Sequence, residues 1–104
     1  MTLVPVAKVA GVPVGSMVGA DLDGERILVA NVGGEFYAMK AECNHRGGPL
    51  DEGTLEGNVV TCPLHGSKWD VKTGGLLEFV RPLPPEPTYK VKVDGGDILV
   101  ETRP

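Results

Sequence analysis

Apolar and polar residues alternate along Tyr89–Asp94 with the period of two that is typical of half-buried β-strands. In the next stretch, Asp97–Thr102, one face would carry residues 98, 100 and 102 and the other face residues 97, 99 and 101. Gly95-Gly96 separates these stretches and predicts a hairpin. Arg26–Val32 and Glu35–Lys40 flank Gly33-Gly34 in the same way and predict a second hairpin. Shorter strands are expected in four further segments: Leu3–Val9, Met17–Asp21, Asn58–Thr61 and Lys68–Val71.

No stretch of about a dozen residues carries a helical apolar stripe free of Gly and Pro. We therefore predict an all-β fold, an antiparallel sandwich or barrel. The middle of the chain, about residues 41–87, is rich in Gly, Pro, Cys and His and holds only short strand candidates. It is expected to form a loop-rich subdomain inserted between the flanking hairpins of a single domain that spans residues 1–104.

Four prolines fall within Val80–Pro87, at positions 82, 84, 85 and 87. Proline fixes its backbone φ angle and has no N–H donor, so this segment should be stiff and extended. Two interpretations are open. The segment is either a surface connector or a rigid wall beside a functional site.

Composition and charge exclude several classes of function. The chain has 104 residues, the size of one domain, and a net charge of −4 argues against nonspecific binding to nucleic acid. We find no signal peptide and no apolar run of about 18–20 residues, so no membrane span is expected and the cytoplasm is the expected location. Two cysteines in that compartment indicate metal ligands or free thiols rather than a structural disulfide.

All cysteines and histidines of the chain lie in two short clusters, Cys43-Asn44-His45 and Cys62-Pro63-Leu64-His65. Residues i and i+2 of an extended segment face the same side, so the first pair can converge. A turn across Pro63 can bring the second pair together. The glycines that follow the histidines permit positive φ angles, which would let amide N–H groups point at an anionic sulfur.

Three interpretations of the clusters compete. The thiols and imidazoles could be ordinary packed residues, as many buried cysteines are. They could hold a structural zinc ion, although a C-x-H pair is unusual beside the common C-x2-C and H-x3-H spacings. They could instead hold a [2Fe–2S] cluster with two cysteine and two histidine ligands, which needs all four residues.

The two clusters and their flanking residues, Cys43-Asn44-His45-Arg46-Gly47-Gly48-Pro49-Leu50 and Cys62-Pro63-Leu64-His65-Gly66-Ser67, resemble the Rieske iron–sulfur signature. Length and turn layout along the whole chain are also similar to those of soluble Rieske-type ferredoxins. The resemblance implies one [2Fe–2S] cluster per chain. In it, Cys43 and Cys62 would bind one iron, while His45 and His65 would bind the other through Nδ1.

The resemblance further implies which residues surround the cluster: Gly47, Gly48, Leu64, Gly66, Ser67 and Trp69. Rieske proteins of respiratory complexes carry a second cysteine in each loop, and Gly48 and Leu64 occupy those places here. Ser67 matches a serine that donates to the cluster, whereas Trp69 replaces a tyrosine whose hydroxyl donates to sulfur. One donor fewer predicts a potential in the lower part of the Rieske range of about −150 to +300 mV.

The chain shows no nucleophile–base motif and no phosphate-binding or dinucleotide-binding loop, so we do not expect an enzyme. The resemblance implies a soluble one-electron carrier. Its donor would be a flavin-containing reductase, and its acceptor a terminal oxygenase or another oxidoreductase. A zinc-stabilised interaction module without redox activity is the alternative, and such a protein would be colourless.

Overall fold

The computed structural model describes residues 2–44 and 47–102. Within them the chain forms eleven strands, all paired antiparallel. The strands are β1 Leu3–Lys8, β2 Met17–Leu22, β3 Glu25–Val32, β4 Glu35–Lys40, β5 Thr54–Glu56, β6 Val59–Thr61, β7 Lys68–Asp70, β8 Leu76–Glu78, β9 Thr88–Tyr89, β10 Val91–Asp94 and β11 Asp97–Glu101. Short 3-10 turns occupy Val9–Gly11 and Leu50–Glu52. The predicted all-β fold class is confirmed.

The strands form three sheets in the described part of the chain. The outer sheet has the order β1-β11-β10, the central sheet β2-β3-β4-β9, and the third sheet β5-β6-β7-β8. Both predicted hairpins are present. In the β3–β4 turn, Gly33 and Gly34 have φ angles of 62° and 98°, which a two-residue hairpin turn requires and which glycine adopts without strain.

Strand β3 lies at the centre of the fold and is buried on both faces. Ile27 and Val29 pack into a core beside the outer sheet, together with Ile98 and Val100 of β11. Leu28 and neighbouring residues face the opposite way, into a core shared with the third sheet. This arrangement explains why β3 is nearly continuously apolar rather than alternating.

The second core contains both cysteines. Cys43 and Cys62 belong to the same buried cluster as Leu28, Trp69 and Val60. The candidate metal ligands are therefore attached directly to packed β-structure, which holds their backbones in place.

Two details of the strand prediction were wrong. Tyr89–Asp94 is not one strand: it breaks at Lys90, because β9 pairs with β4 of the central sheet whereas β10 pairs with β11 of the outer sheet. The prediction also missed strands β5 and β8, although it included β6 and β7, which have the same length of three residues. The region 41–87 contains the whole third sheet, whose four strands have three residues each.

Candidate metal centre

The first cysteine loop follows β4 and turns back on itself. The N–H of Cys43 donates to the carbonyl of Gly48 at 2.9 Å, and the N–H of Gly47 donates to the carbonyl of Cys43 at 2.8 Å. Gly47 has a φ of 68°, a left-handed conformation that a residue with a side chain rarely adopts. The loop is closed by backbone bonds on either side of its cysteine.

The second cysteine loop connects β6 and β7 and repeats this pattern. The N–H of Cys62 donates to the carbonyl of Ser67 at 2.8 Å, and the N–H of Gly66 donates to the carbonyl of Cys62 at 3.1 Å. Gly66 has a φ of 76°. In both loops, the cysteine N–H therefore bonds five residues ahead, and a left-handed glycine four residues ahead bonds back.

The positive φ angles expected at the glycines of the two loops are present at Gly47 and Gly66. The N–H groups of these two glycines donate to the cysteine carbonyls. The glycines shape the loops, because a left-handed residue at the end of such a turn lets the chain change direction, and glycine adopts that conformation without strain.

The two loops contact each other through the surroundings of each sulfur. A Cβ atom added at Gly48 would lie 2.8 Å from Cys62 Sγ, so the first loop reaches the second cysteine only because this residue is glycine. In return, Ser67 Oγ of the second loop lies 3.4 Å from Cys43 Sγ. Each thiol is thus packed against the opposite loop.

The cysteines and the described histidine differ in exposure. Cys43 and Cys62 are each 3% exposed and form no disulfide, whereas Leu64 and His65 are exposed. His65 also lines a groove of about 320 Å³ with Gly66, Glu78, Phe79 and Val80. The predicted ligand His45 lies outside the described residues, as does Arg46.

These residues fit a [2Fe–2S] group. Two buried thiols in closed loops, neither of them in a disulfide, can supply thiolate ligands, and an exposed imidazole follows one of them. No three His, Cys, Asp or Glu side chains converge on a single point within residues 2–44 and 47–102.

Ser67 and Trp69 lie behind the thiols and are completely buried. Besides its contact with Cys43, Ser67 Oγ accepts a hydrogen bond of 3.0 Å from the indole Nε1 of Trp69. The tryptophan that replaces tyrosine is therefore still a hydrogen-bond donor at the site. Its indole N–H donates to the hydroxyl oxygen of Ser67.

The proline-rich segment packs against the first cysteine loop. Asn44, next to Cys43, donates from its side chain to the carbonyls of Pro84 at 2.7 Å and Pro85 at 3.2 Å. Its backbone N–H donates to Glu86 Oε2 at 2.8 Å. Of the two interpretations of this segment, the contacts favour the wall beside the site.

Glu86 is a site residue that sequence reasoning missed. It is only 2% exposed, and its Oε1 has no hydrogen-bond partner in the described part of the chain. Burial raises the pKa of Glu86 from 4.5 to about 7, while the Asn44 N–H and Lys40 oppose the rise and Glu42 adds to it. The only signal in the sequence was an acidic residue among prolines, which does not reveal burial.

An ion pair fixes the end of the first loop to the central sheet. Arg26 of β3 donates to Asp51 Oδ2 from Nη2 at 2.7 Å and from Nε at 3.2 Å. The Asp51 side chain is 3% exposed, and the pair lies over Gly19, where a Cβ would collide with both groups. The loop that carries Cys43 is therefore anchored at both ends.

Fold and site together are typical of a small all-β metalloprotein that holds its metal group between two cysteine loops at one end of a sandwich. The family model described as "Rieske [2Fe-2S] domain" matches residues 2–100. The chain belongs to this Rieske family.

Individual relatives agree with this assignment. The chain is 39% identical over 101 residues to the ferredoxin component of biphenyl 2,3-dioxygenase from Rhodococcus jostii RHA1, covering 97% of this chain and 94% of the relative. The structure matches the ferredoxin of carbazole 1,9a-dioxygenase from Nocardioides aromaticivorans IC177 with a TM-score of 0.92 and 33% identity, over 99% and 100% of the two chains. It also matches a chain in a complex of reduced oxygenase and oxidized ferredoxin in carbazole 1,9a-dioxygenase, with a TM-score of 0.87 and 30% identity over 94% and 91%.

The chain is accordingly an electron carrier with one [2Fe–2S] cluster, and the zinc module is not supported. No helix among residues 2–44 and 47–102 is long and apolar enough to cross a membrane.

Proposed function

We propose that Cys43 and Cys62 bind one iron of the cluster and that His45 and His65 bind the other through Nδ1. The observation that carries this assignment is the pair of matching loops, each with a buried thiol packed against the opposite loop. When bound, the cluster supplies a one-electron couple at about −150 to +300 mV, because two neutral imidazoles replace two thiolates.

The residues around these ligands perform separate tasks. The buried core around Cys43 and Cys62 keeps water away from the thiolates. With water excluded, the hydrogen bonds that the protein donates to these sulfurs control the reduction potential. His65 is exposed, so the imidazole side of the site faces solvent and would face a docked partner. An electron leaving by this side has the shortest path out of the protein.

The electron circuit is proposed from the relatives. Those relatives are ferredoxin components of dioxygenases, and related ferredoxins form complexes with an oxygenase. We propose that this chain accepts electrons from a flavin-containing reductase in the cytoplasm and delivers them to a terminal oxygenase. A different oxidoreductase is the second candidate acceptor.

The ligand assignment is tested on the purified protein and on alanine variants of the four residues Cys43, His45, Cys62 and His65. The native protein should contain two irons and two acid-labile sulfides per chain, consistent with one [2Fe–2S] cluster, and should be bleached by dithionite. Each variant should lose the native visible and EPR spectra, whereas Val14→Ala, at an exposed position outside both loops, should keep them. A variant of any of the four residues that retains the native spectra would remove that residue from the ligand set.

The circuit is tested by reconstitution with a flavin-containing reductase, NADH and a purified dioxygenase. Substrate oxidation should depend on the native protein, and the His65→Ala variant should not support it. Reduction by the reductase without reoxidation by any dioxygenase tested would favour the second acceptor class.

A further inference from the structure

We propose that Trp69 is a positioning residue that fixes the direction of the Ser67 hydroxyl, so that its hydrogen points at Cys43 Sγ. Through this arrangement Trp69 sets part of the reduction potential without touching the cluster. The inference rests on the proposed function, in that Cys43 is taken as an iron ligand.

Trp69, Ser67 and Cys43 form a chain of two contacts in which both hydrogen bonds are donated in the same direction, towards the cysteine. Trp69 Nε1 lies 3.0 Å from Ser67 Oγ, and Ser67 Oγ lies 3.4 Å from Cys43 Sγ. The indole N–H is a donor with no acceptor capacity, so Ser67 must accept from Trp69. Its own single hydrogen remains available for Cys43, and a thiolate there can only accept.

Burial favours this direction of the two hydrogen bonds. Ser67 and Trp69 are completely buried and Cys43 is 3% exposed, so water does not compete for the serine hydroxyl. In such surroundings a hydroxyl that accepts one bond becomes a better donor in the next. The indole therefore orients the Ser67 hydroxyl and also strengthens its bond to sulfur.

The expected consequence is a higher reduction potential. A donor to a ligating thiolate withdraws electron density from sulfur and stabilises the more negative, reduced state. Sequence reasoning counted the replacement of tyrosine by Trp69 as the loss of one donor. The structure shows that the indole donor acts on the serine, so its effect on the sulfur is indirect.

The test is a double-mutant cycle on the cluster-loaded protein. Protein-film voltammetry is applied to Trp69→Phe, Ser67→Ala and the double variant. Both single variants should lower the reduction potential by up to about 59 mV, which is a tenfold change in the redox equilibrium constant for one electron. In the Ser67→Ala background, Trp69→Phe should cause no further fall. An equal fall in both backgrounds would overturn the proposal, because it would show an effect of packing alone.

A second replacement avoids the cavity that phenylalanine leaves. Trp69 is the only tryptophan, so growth on 3-benzothienylalanine replaces its N–H by sulfur and leaves the rest of the ring system nearly unchanged. This protein should show the lowered potential of Trp69→Phe. A potential equal to that of the native protein would overturn the role of the N–H.

The Trp69–Ser67 bond is also measured directly. In the ultraviolet resonance Raman spectrum, the indole N–H band of the single tryptophan should shift towards the free position in Ser67→Ala. An unshifted band would overturn the proposal. This readout separates it from the ligand assignment: if Cys43→Ala kept the native EPR spectrum, the proposed function would fail while the Raman result would stand.

Discussion

Gly48 of the first cysteine loop lies directly against Leu64 of the second, and a Cβ added at Gly48 would approach Leu64 Cδ1 to 3.1 Å. These are the two positions where respiratory Rieske proteins carry the cysteines of an inter-loop disulfide. Here a glycine and a leucine stand instead, and Leu64 borders the space that a side chain at Gly48 would enter. The two loops are thus joined by packing, by the core around the cysteines and by the Ser67–Cys43 contact.

Replacing Gly48 by Ala should destabilise the protein, because the new methyl group would lie 2.8 Å from Cys62 Sγ as well as against Leu64. Overpacking of this kind costs about 1–3 kcal/mol. In a domain of this size, each kcal/mol lowers the midpoint of thermal unfolding by about 4–8 °C. The matched control is Gly11→Ala, where an added Cβ meets nothing within 4 Å. Equal midpoints for the two variants would contradict the packed contact.

Replacing Arg26 by Met should lower the unfolding midpoint, because Asp51 would remain buried without its partner. The Asp51 side chain is 3% exposed, and its Oδ2 accepts two hydrogen bonds from Arg26. A buried carboxylate that loses its cation costs far more than the pair contributes. Lys8→Met breaks the exposed Lys8–Asp97 pair and serves as the control, with little expected change. A larger fall in the unfolding midpoint for Lys8→Met than for Arg26→Met would show that the burial of Asp51 does not determine the contribution of its ion pair.

Replacing Glu86 by Gln should change how stability depends on pH. Burial raises the pKa of Glu86 from 4.5 to about 7, so the folded state holds this proton more tightly than the unfolded chain. The resulting stability is fully present below about pH 4.5 and is lost as pH rises to about 7. Between pH 4.5 and pH 8, the difference in the free energy of unfolding between Glu86→Gln and the native protein should therefore shift in favour of the variant by up to about 3 kcal/mol.

The measurement is the unfolding midpoint of both proteins at a series of pH values and one scan rate. Glu56→Gln, at an exposed position, is the control and should follow the native curve. Parallel curves for Glu86→Gln and the native protein would show that Glu86 is ionised normally in the fold.

Replacing Val80 by Asp should slow electron delivery to the acceptor without changing the potential. Val80 is 91% exposed and lines the groove that contains His65, so a partner docked at this imidazole would cover it. Charged residues are depleted from the cores of protein interfaces because their desolvation is costly. The apparent affinity for the oxygenase should fall about fivefold or more, equivalent to ~1 kcal/mol.

Val14→Asp places the same charge at another exposed valine, which is outside this groove, and should leave delivery unchanged. Both variants should keep the native potential by voltammetry. Equal oxygenase kinetics for the two variants would place the docking surface elsewhere.

The sequence alone determined much of this protein. Alternation and paired glycines predicted both hairpins, because strand period and turn chemistry are local properties. Two clusters that contain every Cys and His predicted a metal centre before any fold was known, since ligand type and spacing are also local. The same residues showed that no disulfide could join Gly48 and Leu64.

The tertiary structure decided what depends on residues far apart in the chain. The chain passes from the central sheet to the outer sheet at Lys90, because β9 pairs with β4 and β10 pairs with β11. Glu86 is buried because the proline-rich segment folds over Asn44, some forty residues earlier in the chain. The direction of the Trp69 donor depends on where the core places the ring relative to Ser67. Burial and hydrogen-bond direction arise only when separate segments pack together, so no local pattern can reveal them.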